Sequence, residues 1–146
     1  GVKRLQWEDK ISEYIDINIC LPAIGQGALG LEIRGNDKNV LQYISDLDHY
    51  QTHIELTAER ALLKKLQGGC QVPIAAHAKV DGENIKLTAM VSSLDGKRFI
   101  EENGIEPLEM AEQLGLDIAE KLLLNGANEI IQQALKIAAD IQADQN

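Results

Sequence analysis

Along the chain, the spacing of apolar residues switches from helical to alternating and back again. Between Thr52 and Leu66 they recur at helical spacing: Ile54, Ala58, Ala61 and Leu62 form one stripe, which Leu56, Leu63 and Leu66 widen. Glu55, Glu59, Lys64 and Lys65 fall on the other faces. The expected stop is Gly68, because a residue without a Cβ takes the left-handed conformation at low cost. The period then becomes two, with "VPIAAHAKV", "NIKLTAMVSS" and "KRFIEEN" reading as three strands between residues 72 and 102. The turn signals "DGE" and "LDG" between them predict an antiparallel meander. Helical spacing returns with Pro107 near the start of a helix whose stripe is Leu108, Ala111, Ile118, Ala119 and Leu122, ending at "NGAN". A last helix carries Ile130, Ile131, Ala134, Leu135, Ala138 and Ile141, and the polar tail "QADQN" is expected to fray.

The N-terminal third is patterned less firmly. Leu5, Trp7, Ile11, Tyr14 and Ile15 partly follow a helical period and predict a short helix within residues 8–15. After Pro22, "AIGQGALGLEIRGNDKN" alternates Leu29, Leu31 and Ile33 against Glu32 and Arg34, which predicts a strand over residues 28–34. Residues 38–47 then suit a short helix burying Val40, Leu41, Ile44 and Leu47. One strand and one short helix do not make a stable sheet domain. The expected fold class is therefore α+β: a three-stranded antiparallel sheet covered by three helices, preceded by an incomplete α/β segment.

Composition narrows the ligand. Aromatic residues make up 3% of the chain, so few rings are available to stack on bases or sugars, which argues against a single-stranded nucleic acid partner. A formal net charge of -9 repels phosphate backbones and anionic membranes, so an anionic substrate requires a local basic patch. Cys20 and Cys70 lie far apart with no CxxC spacing, and no secretory or membrane-spanning segment is visible. Both thiols are expected free, in a reducing cytoplasm.

Three local features invite chemistry. "GQGALG" allows close backbone approach to an anion, but its glycines precede a strand and match no phosphate-loop spacing, so a hinge or tight crossover is the favoured reading. His49 and His53 stand four apart beside Asp48, as a metal pair requires, but without a supporting HExxH or cysteine pair; locally capped or solvated histidines are favoured, and no metal is assigned. Cys70, in "GGCQVPI", follows Gly68 and Gly69 at the end of a helix. A buried plug and an exposed nucleophile are both open to it, although the two flanking glycines leave room for a bulky group on the sulfur.

"LPAIGQGALGLEIR", "TAERALLKKLQGGCQVPIAAHA" and "LTAMVSSLDGK" resemble the C-terminal half of the porphobilinogen deaminase (hydroxymethylbilane synthase) family, and the resemblance runs over nearly the whole chain. It implies that Cys70 forms a thioether to a dipyrromethane cofactor on which four porphobilinogen units are polymerised, with loss of ammonia, before hydroxymethylbilane is released. Gly68 and Gly69 would give clearance, Gln26 and Gly27 would line the interdomain cavity, and Arg4 would hold substrate carboxylates. By the same analogy residues 1–24 are the tail of domain 2, 25–47 the crossover strand and helix of domain 1, and 48–146 the cofactor-carrying domain 3.

The resemblance also implies what these residues do not contain. The family's catalytic carboxylate and most of its basic substrate-binding residues belong to the N-terminal half, so no catalytic residue is assigned here. The isolated chain is expected to be inactive and without cofactor, with residues 28–34 either disordered or paired with another molecule. The competing expectation is an independent α+β interaction module with a structural thiol; a redox thiol ranks lower, because no resolving cysteine lies near Cys70.

Overall fold

The computed structural model describes residues 1–66 and 72–143. Strands β1 (Ile74–Asp81), β2 (Asn84–Ser92) and β3 (Phe99–Pro107) form one antiparallel sheet in the order β1-β2-β3. Period two puts Ala76 and Ala78 of β1, with Ile85, Leu87, Ala89 and Val91 of β2, on one buried face. The β1–β2 register is set by a two-residue turn, Asp81 pairing with Asn84. The third strand begins at Phe99, later than its pattern suggests, and continues to Pro107.

Three helices cover that face, as the fold class requires. Helix α2 (Tyr50–Lys65) buries Ile54, Ala58 and Leu62, one turn apart each time. A 3-10 turn at Leu108–Met110 leads into α3 (Ala111–Leu122), which buries Leu114, Ile118, Ala119 and Leu122. A kink at Leu123–Ala127, where Gly126 takes φ 99°, joins it to α4 (Asn128–Ala143), whose Ile130, Ile131 and Ala134 complete the core. Leu62, Ile85, Leu87, Ile118, Leu122, Ile130 and Val91 are the largest fully buried side chains; each contributes on the order of 1.5–3 kcal/mol by leaving water. Helices α2 and α3 approach almost backbone to backbone at Gly115, where a Cβ would collide with the Ala58 carbonyl oxygen.

The N-terminal third departs from expectation. Residues 8–15 do not form the short helix: 3-10 turns at Lys3–Leu5 and Glu8–Lys10 are followed by irregular chain. Short helices are marginal without a packed face, and Tyr14 and Ile15 pack against nothing that buries them. Residues 28–34 form no strand, because no neighbouring strand supplies a ladder; Leu29 is 97% exposed. The short helix does form, as α1 (Lys38–Ile44) followed by a 3-10 turn at Ser45–Leu47. Asp37 caps it, its Oδ1 accepting from Val40 N at 3.1 Å. Its expected buried side stays open, however, with Val40, Leu41 and Leu47 exposed. No residue from 1 to 53 is buried. No helix among the described residues is long and apolar enough to cross a membrane.

Candidate functional site

Strand β1 is an edge, and its outward N–H groups need acceptors. Three are supplied from outside the sheet. Ala76 N donates to Pro22 O at 3.1 Å. Ala78 N donates to Glu59 Oε1 at 2.8 Å, and Val80 N to Glu55 Oε1 at 3.0 Å. Glu59 was expected on an outer face of its helix but is 5% exposed, because both of its oxygens are engaged: Oε2 accepts from Gly25 N at 2.8 Å. One buried carboxylate thus ties together α2, the edge of β1 and the crossover segment around Gly25. A second tie is the bridge between Ala23 and Ala75, and Ile24 packs on the core between them.

The crossover turns tightly at residues 23–28, with Gln26 N donating to Ala23 O at 3.1 Å and Ala28 N to Gly25 O at 3.3 Å. Gly25 and Gly27 sit at φ 72° and 87°, a region costly for residues with a Cβ. This agrees with the tight-crossover reading of "GQGALG". Gln26 and Gly27 are exposed, and a Cβ on Gly27 would meet nothing within 4 Å. Gly27 opens onto a cleft of about 940 Å³ between residues 27–33 and α2, lined on the helix side by Thr52, His53, Leu56, Thr57 and Arg60.

Gly68, Gly69 and Cys70 lie outside the described residues. The chain leaves the core at Leu66, 3% exposed, and re-enters it at Val72, 7% exposed. Just beyond, Ser92 N donates to Pro73 O at 3.0 Å. The two ends of the cysteine-bearing segment are thus rooted in the core.

Arg4 lies on the exposed Lys3–Leu5 turn, and among the described residues its side chain makes no hydrogen bond or ion pair with Gln26 or Gly27. The structure sets Gly27 against the Thr52–Arg60 stretch of α2; among the described residues it does not join Arg4 to Gln26 or Gly27. His49 is used locally, its Nδ1 facing Thr52 at the start of α2, and His53 Nδ1 lies 3.3 Å from Asp48 Oδ1. Sequence reading missed Glu59 and Arg60. The signal available for Glu59 was its place one residue after Ala58, at the margin of the buried stripe.

The family description "Porphobilinogen deaminase, C-terminal domain" matches residues 53–124, and "Porphobilinogen deaminase, dipyromethane cofactor binding domain" matches residues 1–42. The chain is 44% identical over 133 residues to the porphobilinogen deaminase of Carboxydothermus hydrogenoformans, covering 91% of this chain and 43% of the relative. It is 47% identical to that of Geobacter sulfurreducens and 45% to that of Prochlorococcus marinus, covering 91% of this chain and 42% of each relative. The chain therefore spans less than half the length of these relatives. With the two family descriptions matching in order over residues 1–42 and 53–124, and this identity sustained over nine-tenths of its residues, the chain belongs to the porphobilinogen deaminase family.

Proposed function

We propose that this chain is the cofactor-carrying C-terminal portion of a porphobilinogen deaminase, a cytoplasmic transferase that joins four porphobilinogen units into hydroxymethylbilane with release of ammonia. The observation that carries the reading is the ordered match of the two family domains along this sequence. The same match separates it from an independent interaction module with a structural thiol. Residues 1–24, 25–47 and 48–146 are proposed as the tail of domain 2, the domain 1 crossover and domain 3.

Cys70 is the proposed attachment point of dipyrromethane. Its thiolate is a soft nucleophile suited to a thioether, and Gly68 and Gly69 beside it offer no side chains to obstruct the group. Gln26 and Gly27, the proposed cavity-lining residues, suit a polar, carboxylate-bearing molecule: Gly27 faces open space, and the exposed Gln26 amide offers both donor and acceptor. A bound dipyrromethane would supply a fixed primer from which the pyrrole chain grows. The part played by these residues is to hold and orient. Glu59 keeps the Gly25–Gly27 turn against β1, and the buried Leu66 and Val72 fix the ends of the tether. Arg4 is proposed to pair with substrate carboxylates, a task suited to the guanidinium fork. With Arg4 exposed and unpaired by Gln26 or Gly27, this role requires residues beyond those described.

Intact mass spectrometry of the complete gene product tests the reading. Wild-type protein should carry a dipyrromethane adduct mapping to Cys70, and Cys70→Ser should lose both the adduct and hydroxymethylbilane formation. Full activity in Cys70→Ser, or an active wild type with an unmodified Cys70, would overturn it.

A further inference from the structure

The sheet face turned away from the three helices carries a charge arrangement that the tether reading does not use. Lys79 of β1 and Lys86 of β2 are direct cross-strand partners, and both are exposed. Among the described residues neither has an ion-pair partner within 4.0 Å. Like charges directly opposite one another repel, and this pair stands out in a chain of net charge -9. The adjoining row on the same face is His77 opposite Thr88, both half-buried.

This face is not flat. The Ala23–Ala75 bridge and the bond from Ala76 N to Pro22 O hold the incoming chain at the edge of β1. Residues 17–21 therefore run along the open face and wall a groove of about 330 Å³, with Ile17, Ile19 and Leu21 on one side and the two lysines and Thr88 on the floor. Two acids share the face. Asp81 sits in the row beyond the lysines, and Glu101, opposite Met90, lies two rows to the other side. Glu101 lines the far end of the groove with Met90, and four residues of strand put its row roughly 13 Å from the lysine row, farther than charges act strongly through salt solution.

We propose that this groove binds a small organic dianion, its acid oxygens held between Lys79 and Lys86 and its apolar body against Ile19 and Leu21. Such a ligand relieves the lysine–lysine repulsion and covers apolar side chains that the fold leaves open. The site lies on the face opposite the helical core and involves none of the residues assigned to the tether.

Backbone amide NMR titrations with phthalate and with inorganic phosphate test it. Phthalate should give saturable shifts at residues 77–79, 86–88 and 18–21. Lys79→Gln or Lys86→Gln should each weaken binding about fivefold, the loss of one charged partner, and the double variant should abolish it. Lys79→Arg should retain it. Ile19→Ser should weaken phthalate more than phosphate, whose binding reads the lysines alone. Lys97→Gln, on the distant β2–β3 turn, should change nothing. Absence of saturable shifts in the wild type, their survival in the double lysine variant, or equal loss in Lys97→Gln would overturn the proposal.

Discussion

Residues 28–34 and residues 85–91 have nearly the same local pattern and opposite fates. In the first, Leu29, Leu31 and Ile33 alternate with Gly30 and Glu32; in the second, Ile85, Leu87, Ala89 and Val91 alternate with Lys86, Thr88 and Met90. The second is the central strand of the sheet, with all four apolar residues at 0% exposure. The first forms no strand, and Leu29 and Leu31 are 97% and 60% exposed. Alternation states which residues would share a face; it does not supply the neighbour that pairs the backbone. β2 has a hairpin partner on each side, both close in sequence. Residues 28–34 have none among the described residues.

The same contrast extends to whole regions. From Ile54 onward the chain builds a packed α+β layer, whereas residues 1–53 contribute no fully buried residue, only the partly buried Ile24 against the core. Perturbations should therefore separate the two, and the largest should come from the helix–helix contact. Gly115→Ala would push a methyl into the Ala58 carbonyl oxygen and force α2 and α3 apart. Denaturant unfolding should show a loss of about 3 kcal/mol, at the upper end for overpacking. A near-neutral result would mean that the two helices are less tightly seated than described.

Glu59→Ala comes next, because it strikes the link between the regions. It strands the N–H groups of Gly25 and Ala78 and should cost about 2 kcal/mol. Hydrogen exchange should quicken at Gly25 and Ala78 while β2 amides keep their protection. Unchanged exchange at Gly25 would show that the crossover is held without this carboxylate.

Leu29→Ser and Leu31→Ser should be almost silent in the isolated chain, within about 0.5 kcal/mol, since Leu29 stays in water and Leu31 remains mostly exposed. A substantial loss would reveal a partner surface for residues 28–34 and erase the contrast with β2.

The smallest effect concerns Asp95, on the turn between β2 and β3. The Ser93 hydroxyl, at 2.7 Å, and then the Lys97 N–H, at 3.2 Å, hold its carboxyl below the ordinary aspartate value. Because the folded pKa is the lower one, its contribution is complete above the unfolded value and fades as pH falls through the folded value. Carbon-detected NMR should place its titration below the ordinary aspartate value, and Ser93→Ala should raise it.

Much of the compact region was legible because its signals are local. The helical stripe ending near Leu66, the "DGE" and "LDG" turns and the two C-terminal stripes each belong to one segment, and consecutive segments pack together. The helix expected at residues 8–15 and the buried side expected for residues 38–47 failed for a common reason: both needed surfaces that no nearby segment provides. Of the candidate site, the tight crossover at Gly25–Gly27 was readable, since glycine placement is a local property, while Cys70 lies outside the described residues. Glu59 was not, because a glutamate at the edge of a stripe reads as solvated until a strand edge and a crossover present it with donors.

By itself, the order of residues determined the α+β class, the meander, the three covering helices and membership of the porphobilinogen deaminase family. Only the tertiary structure decided which apolar segments acquire a core, that Glu59 is buried as a clamp, and that Lys79 and Lys86 face each other across a groove. The physical reason is range. Periodicity, turns and motifs act over a few residues, whereas burial, ladder pairing and charge juxtaposition depend on what another segment brings alongside.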